Sequence, residues 1–490
     1  MNASKNSAGI IVPSHQGLYY GGKWHDSEGE VVSITNPATG EELSTVVWAT
    51  ESDVNSAVIA ANEGFNVWRN TSPIERTKIL YEMAARVRKH GAELTMLDSA
   101  NSGNPICEMQ RDAEIGAMMA DYFAGLTTEI KGTSVPVGPD AVNFSVREPV
   151  GVVVRLLPFN HPLMFCVSKA AAILAAGNSV IVKPSEQAPL SSLRLAELLE
   201  DLFPAGVFNV LSGDRTAAAA LTAHEGVAGM ALVGSVGAGQ AVMRAAAEGI
   251  KPVLLELGGK NALIGYPDAD VDEVADAVIA GMNFGWCGQS CGSTSRAFLH
   301  ADIYDQVLEK VVQKAERHKP GMPTDPETTM GAIISNDQYE NVVACIEKAL
   351  LEGARLVTGG KRPDDPELKN GNFMLPTILE VTSEMTIARH EVFGPVLSIF
   401  RWDDSEDMIK TVNDTEYGLT CSIWTNDLSV AHRTAQDVEV GFVWINEVGR
   451  HFLGAPFGGY KKSGIGREEC REELLAFTQE KNIHVRLKPR

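Results

Sequence analysis

The 490-residue chain is short of positive charge: 42 Lys and Arg stand against 63 Asp and Glu, a net charge of −21. So acidic a surface repels phosphate backbones, which argues against a nucleic-acid partner. Cysteine is sparse, seven residues (107, 166, 287, 291, 345, 421 and 470) with no even framework. That pattern points to reduced thiols in a cytoplasm, not to a disulfide scaffold. Cys287 and Cys291 are close, but no His pair or second Cys pair stands at zinc spacing, so no metal is expected. No apolar run approaches the roughly 18 residues that a membrane span needs. The start, MNASKNSAGIIVPSHQ, lacks a basic stretch followed by an apolar one, and no signal peptide is expected. Internal repeats and low-complexity segments are absent. What remains is ordinary globular composition, 44% apolar and 21% charged, with length for about two to four domains.

The stretch to about residue 60 is turn-rich. A helix then starts at Ser72 as N-cap, with Pro73 first and Glu75 completing a capping box; Leu80, Met83, Ala84 and Val87 fall on one face. Residues 129–150 alternate polar and apolar around Gly138-Pro139-Asp140, which predicts a hairpin. From 151 short apolar runs recur: VVVRLL (152–157), SVIVK (179–183), VFNVL (207–211), GMALV (229–233) and VLLEL (253–257). Helical stretches between them, such as 190–202 and 238–248, predict a parallel sheet covered on both faces, a Rossmann-like nucleotide-binding unit. After Gly258-Gly259 a second α/β block follows, with helices expected at 271–287, 303–318, 404–413 and 428–437. Its strands are expected at 296–300, 396–402, 420–425 and 441–446. A basic β-like tail begins at Asn482 and could pair with a hairpin elsewhere.

Several strand ends carry residues with chemical potential. Gly234-Ser235-Val-Gly237-Ala-Gly239 follows GMALV and opens a helix, as a pyrophosphate site requires, although a tight strand-to-helix turn explains it equally well. Lys183-Pro184-Ser185-Glu186 could hold ribose hydroxyls; by itself it reads as a solvated turn. Glu256 ends an apolar strand, where desolvation would raise its pKa toward that of a general base; an ion pair with Lys260 is the plainer reading. Asn160, between Pro158 and Pro162, is turn chemistry or an oxyanion donor, and His161 reads as a turn residue without a role. Gly288-Gln289-Ser290-Cys291-Gly292 matches the serine-hydrolase elbow, but that elbow needs a strand before and a helix after, and here the order is reversed. Cys291 remains as a nucleophile candidate, among small residues that leave a thiol accessible.

Together these segments resemble the aldehyde dehydrogenase superfamily. The resemblance covers nearly the whole chain: PFNHP (158–162), GNSVIVKPSE (177–186), GSVGAG (234–239), LELGGKN (255–261), GQSCGS (288–293), EVFGPV (391–396) and PFGGYKKSGIGRE (456–468). It implies an α/β fold in three parts. These are a Rossmann-like NAD(P)-binding domain (1–128 and 150–257), an α/β catalytic domain (258–477) and a small β oligomerisation arm (129–149 and 478–490). A homodimer or homotetramer is implied as well. By matching position the resemblance makes Cys291 the nucleophile, Glu256 the general base and Asn160 the oxyanion donor, with Lys169 and Glu468 associated with proton passage. Lys183, Ser185, Glu186, Gly234, Ser235, Gly239, Leu257, Glu391 and Phe393 fall on cofactor positions. NAD is the expected cofactor, with NADP as the alternative, because Glu186 would accept from ribose and repel a 2′-phosphate.

The implied reaction is oxidation of a small aldehyde to the acid through a cysteine thiohemiacetal and thioester. Glu256 disfavours a CoA-acylating variant, and the intact Cys291, Glu256 and Asn160 set disfavours a non-catalytic descendant. A serine hydrolase using Ser290 is the rival from another reaction class. Three departures bear on substrate: Phe159 stands where Trp is common, Ser168 where betaine-aldehyde enzymes carry Trp, and Ser290 where Cys, Val or Ile is frequent. A betaine-aldehyde or semialdehyde activity is therefore an alternative. With Arg450 and Phe452 on the segment 447–453, neutral, aromatic or carboxylated aldehydes are expected to outperform a cationic one, unless Arg450 points to solvent or pairs with an acid.

Overall fold

The computed structural model describes residues 4–6 and 8–488. The helix Pro73–Lys89 begins where its cap residues dictate. Ser72 Oγ accepts from the Glu75 amide at 3.3 Å, and the Ser72 amide donates to Glu75 Oε2 at 3.1 Å. Such a cap contributes about 1 kcal/mol, and Leu80, Met83, Ala84 and Val87 are all fully buried.

An eight-stranded sheet forms the first core. Five of its strands are parallel: Val152–Leu156, Ser179–Lys183, Phe208–Val210, Gly229–Val233 and Val253–Glu256. In space the first of these lies between the second and the fourth. The strand order thus reverses between Val152–Leu156 and Gly229–Val233, the point where doubly wound sheets open a crevice for a ligand. Antiparallel strands close both edges, Leu18–Tyr20 with Lys23–His25 on one side and Gly464–Ile465 on the other. The helix Pro162–Ala175 is buried along almost its whole length beneath this sheet, so its sequence is apolar all round, without an amphipathic stripe.

The second core is a seven-stranded sheet, parallel except at one edge, in the order 355–358, 377–380, 396–402, 296–300, 262–265, 420–424, 442–445. The strands 396–402 and 296–300 coincide with the expected runs. The expected helix 271–287 stops at Gly281. Asn283 and Cys287 take left-handed backbone and flank a single 3-10 turn, Phe284–Trp286, so the apolar pattern continues where the helix does not. The strands Ala262–Gly265, Arg355–Thr358 and Thr377–Glu380 were not separable from their surroundings by pattern.

A three-stranded sheet lies apart from both cores. Ser134–Val135 and Ala141–Pro149 form the expected hairpin, and Thr478–Arg486 pairs antiparallel with the longer strand, from Thr478 opposite Pro149 to Arg486 opposite Ala141. Val135, Val142 and Val485 are exposed on it. No helix among the described residues is long and apolar enough to cross a membrane.

Candidate active site

The parallel strands of the first sheet deliver candidate residues at their carboxyl ends. Beyond Leu156 the chain reaches Asn160; Lys183 closes its strand, Gly234 follows Val233, and Glu256 closes the last. Opposite them stands the loop of Cys291. That loop is fixed from several sides. Gly288 (φ +65°) lies so close to the next segment that a Cβ would sit 2.2 Å from the Gly394 carbonyl oxygen. Gln289 Oε1 accepts from the Ile334 amide at 3.1 Å. Asn261 Nδ2 donates to the carbonyls of Cys291 (2.6 Å) and Ser293 (3.0 Å).

Cys291, Ser290, Glu256, Lys169 and Glu468 line one cavity of about 410 Å³. Asn160 is buried beside it; its Nδ2 donates to the Gln289 carbonyl at 3.0 Å, and its backbone carbonyl accepts from Asn104 Nδ2 at 2.9 Å. An amide has two N–H bonds, so one stays free to donate to an oxygen held at Cys291. Ser290 sits in a loop, not on a strand-to-helix elbow, and no His or carboxylate is hydrogen-bonded to it among the described residues. Glu256 and Lys260 form no ion pair among those residues: Lys260 is buried elsewhere, against Arg296, and burial pushes its ammonium down to about 7.

The electrostatics of the cavity are those of buried charge. Burial, followed by the charge of Glu468, raises Glu256 to about 8. Burial and then Glu256 hold the Cys291 thiol well above its ordinary value. Behind them Glu468 accepts from Arg155 at 2.8 Å and from Lys169 at 2.6 Å. Burial works against its charge, but those two cations prevail and bring it to about 2. Burial would lower Lys169; the carboxylates of Glu468, Glu473 and Glu469 outweigh it. Glu473, in the helix Arg471–Ala476, is fully buried and is raised to about 7, mainly by desolvation.

The candidate cofactor residues lie at the strand ends around the switch point. Ser235 caps the helix Val236–Gly249, its Oγ accepting from the Ala238 amide at 3.3 Å, and a Cβ placed on Gly237 would meet no other segment within 4 Å. Gly239 packs on Leu257, where a Cβ would meet Leu257 Cδ1 at 2.6 Å. Lys183 Nζ is buried, donates to the Pro184 carbonyl at 2.8 Å and lies 3.9 Å from Glu186; burial lowers its pKa. Ser185 accepts from the Gln187 amide. Glu391 accepts from the Gly259 amide at 3.0 Å, and burial raises it to about 7. Phe393 meets Phe159 edge-on at 5.7 Å between ring centroids. An uncluttered helix N-terminus, an ammonium turned to the same strand ends and glycines at the close approach fit a dinucleotide.

The family model described as "Aldehyde dehydrogenase family" matches residues 24–483. The chain belongs to the aldehyde dehydrogenase family. The general reaction of that family is oxidation of aldehydes to acids. The aldehyde dehydrogenase TropH of Talaromyces stipitatus is 48% identical over 489 residues, covering 97% of this chain and 94% of the relative. An NAD+ complex of the aldehyde dehydrogenase from Bacillus cereus is 36% identical with a TM-score of 0.94, each chain 97% covered. The betaine aldehyde dehydrogenase of Staphylococcus aureus with NAD+ is 33% identical, TM-score 0.94, covering 97% of this chain and 96% of its own. The structural match supports the mixed α/β fold of the aldehyde dehydrogenases.

Sequence reasoning passed over several cavity residues of this aldehyde dehydrogenase. His161, read as a turn residue, lines the cavity and is bonded to Asp112 at 2.7 Å. His451 bonds Glu469 at 2.9 Å on the same lining. Arg155 had a legible signal, an arginine inside VVVRLL, because a buried guanidinium requires a partner. His161 had none; its partner lies 49 residues away in the helix Ile106–Gly125. Ser168 is fully buried with its hydroxyl unpartnered, and Phe452 is exposed beneath the Arg450 guanidinium, 4.9 Å from its ring centroid. Arg450 itself is 65% exposed and 3.9 Å from Glu447, so it takes the solvent-and-acid environment rather than a buried one.

Proposed function

We propose that this chain oxidises an aldehyde to its acid with NAD+, using Cys291 as nucleophile, Asn160 as oxyanion donor and Glu256 as base. The observation that carries the reading is the shared cavity of Cys291 and Glu256, with Asn160 hydrogen-bonded to the residue two before the thiol. The resting thiol is protonated, held so by burial and by Glu256. Its proton passes to solvent as sulfur adds to the carbonyl carbon, so Glu256 stays free for the later, hydrolytic step. The oxygen of the resulting thiohemiacetal becomes an oxyanion between the free N–H of Asn160 and the Cys291 amide. In comparable sites one such donor is worth about 2.7–4 kcal/mol. A nicotinamide held at the strand ends would supply the hydride acceptor that converts this adduct into a thioester on Cys291. Glu256 then takes a proton from water as it attacks the thioester. The released acid leaves Cys291 as before, and Lys169 and Glu468 behind Glu256 provide a charged path by which its proton departs.

Lys183, Ser185, Glu186, Gly234, Ser235, Gly239, Leu257, Glu391 and Phe393 would hold the dinucleotide. The helix N-terminus at Ser235 would take the pyrophosphate, and Lys183 and Glu186 would take the adenosine ribose. Glu186 supports NAD over NADP, since a carboxylate there repels a 2′-phosphate. The proposed division is a cofactor part (1–128 and 150–257), a catalytic part (258–477) and an arm (129–149 and 478–490). The exposed valines on the arm support a homodimer or homotetramer. Absorbance at the reduced-nicotinamide band, with generic aldehydes and either cofactor, tests the whole reading. A chain that reduces neither cofactor with any aldehyde refutes it.

A further inference from the structure

Asp112 and His161 share one wall of the cysteine cavity. His161 Nδ1 lies 2.7 Å from Asp112 Oδ2, with Asp112 buried and the imidazole side chain 13% exposed. A carboxylate accepts only, so it is Nδ1 that carries the proton and donates it. That leaves Nε2, which forms no hydrogen bond among the described residues. The ring is held in place by Phe165, edge-on at 5.3 Å, and Trp286 at 5.5 Å. With Nδ1 turned to Asp112 in this way, the imidazole in its neutral form presents Nε2 as an acceptor to the cavity.

The surroundings narrow what that acceptor meets. Met118, Met119, Met164, Trp444 and Phe457 also line the cavity, whose volume of about 410 Å³ admits an aromatic ring. Its carboxyl groups, Asp112, Glu256, Glu468 and Glu469, outnumber Lys169 and Arg450, and the two histidines of the lining, His161 and His451, face Asp112 and Glu469. Lys169 is committed to Glu468, and Arg450 lies over Phe452 beside Glu447. A carboxylate on the substrate would meet this acidic lining, with Lys169 held by Glu468 and Arg450 largely in solvent, whereas a hydroxyl brings a donor and no charge.

We propose that His161, oriented by Asp112, determines substrate specificity by accepting, through Nε2, a hydrogen bond from the hydroxyl of a hydroxylated aromatic aldehyde. This rests on the aldehyde-oxidising reading above. Asp112 acts through the imidazole and is a positioning residue.

The test compares kcat/KM for benzaldehyde, the isomeric hydroxybenzaldehydes and 4-carboxybenzaldehyde in the full-length chain. The proteins are wild type, His161→Phe, His161→Gln and Asp112→Asn, with thermal unfolding showing that each is folded. In wild type at least one hydroxybenzaldehyde should exceed benzaldehyde by about tenfold or more. His161→Phe should bring that ratio to within about twofold of unity, mainly through KM. His161→Gln, whose amide oxygen accepts, should recover part of the ratio. Asp112→Asn, which no longer fixes the tautomer, should reduce it. A ratio unmoved by both His161 variants, or a wild-type preference for 4-carboxybenzaldehyde, overturns the assignment. Cofactor reduction with benzaldehyde reads the underlying activity separately. Its absence with every aldehyde ends both readings; its presence without any hydroxyl preference ends only this one.

Discussion

The two ends of the site are built from different materials. Around Cys291 the chain buries charge: Arg155, Lys169, Glu256, Glu468 and Glu473 are all at most 3% exposed. Around the strand ends at Gly234 it presents mainly backbone, glycine and one capped helix N-terminus; Lys183 is buried there, while Glu186 is exposed. The contrast follows from what each end has to do. A base and a nucleophile need proton affinities far from their aqueous values, and only desolvation and neighbouring charge shift them so far. A dinucleotide needs close approach and oriented N–H groups, which backbone provides at no desolvation cost.

The largest expected effect breaks the cysteine end outright. Cys291→Ala should lower turnover by about 10⁴-fold or more, whereas Ser290→Ala should remain within about tenfold of wild type, measured by cofactor reduction. Full activity in the alanine variant at 291 would remove the nucleophile assignment and leave Ser290 to be considered.

Next comes the base. Glu256→Gln should still give a single burst of reduced cofactor, followed by turnover slowed about 10²–10⁴-fold. Because the base works only when deprotonated, the wild-type steady-state rate should rise as pH passes through about 8, the value to which burial takes Glu256. The glutamine variant should lose that limb. Loss of the burst along with turnover would move the role of Glu256 to an earlier step.

The buried cluster behind it is tested by stability. Glu468→Gln leaves Arg155 and Lys169 buried without their countercharge, which should cost about 3–5 kcal/mol in denaturant unfolding. In the wild type the Glu468 pKa is lowered on folding, from 4.5 to about 2. Its stabilisation is therefore complete above about pH 4.5 and is lost as pH falls through about 2. Unfolding at pH 7, 4 and 3 should show the wild type converging on the variant. Parallel curves would mean that the pair carries no net stabilisation.

The smallest effect belongs to the cofactor end, as its exposure demands. Glu186→Ala should narrow any NAD-over-NADP preference by up to about tenfold, since a charge near water is screened. Equal kcat/KM for the two cofactors in the wild type would remove the role given to Glu186.

Legibility in the sequence divides along the same line. The cofactor end is local: strand, Gly-rich turn and helix follow one another in the chain, so VKPSE and GSVGAG were legible as strand-end turns, and as cofactor candidates through the resemblance. Ser72 and Glu75 announced their helix for the same reason, since a capping box is complete within four residues. The cysteine end was legible as single residues, through a resemblance, but not as a cluster. Glu468 meets Arg155 across 313 positions, and no periodicity encodes such a pairing. The helix expected over 271–287 shows the converse error. The apolar pattern runs on, but left-handed backbone at Asn283 and Cys287 turns the chain so that Cys291 faces the cavity.

By itself the sequence determined the alternation of strand and helix, the net acidity and the family, and it offered Cys291, Glu256 and Asn160 as candidates. These rest on hydrophobic period, composition and contiguous motifs, all properties of neighbours along the chain. Only the tertiary structure decided that Lys260 stands apart from Glu256, that Arg155 and Lys169 hold Glu468 charged, and that Asp112 turns His161 from a loop residue into a wall of the cavity. Each of those depends on burial and on partners distant in sequence, and a side chain's charge or tautomer is fixed only when both are in place.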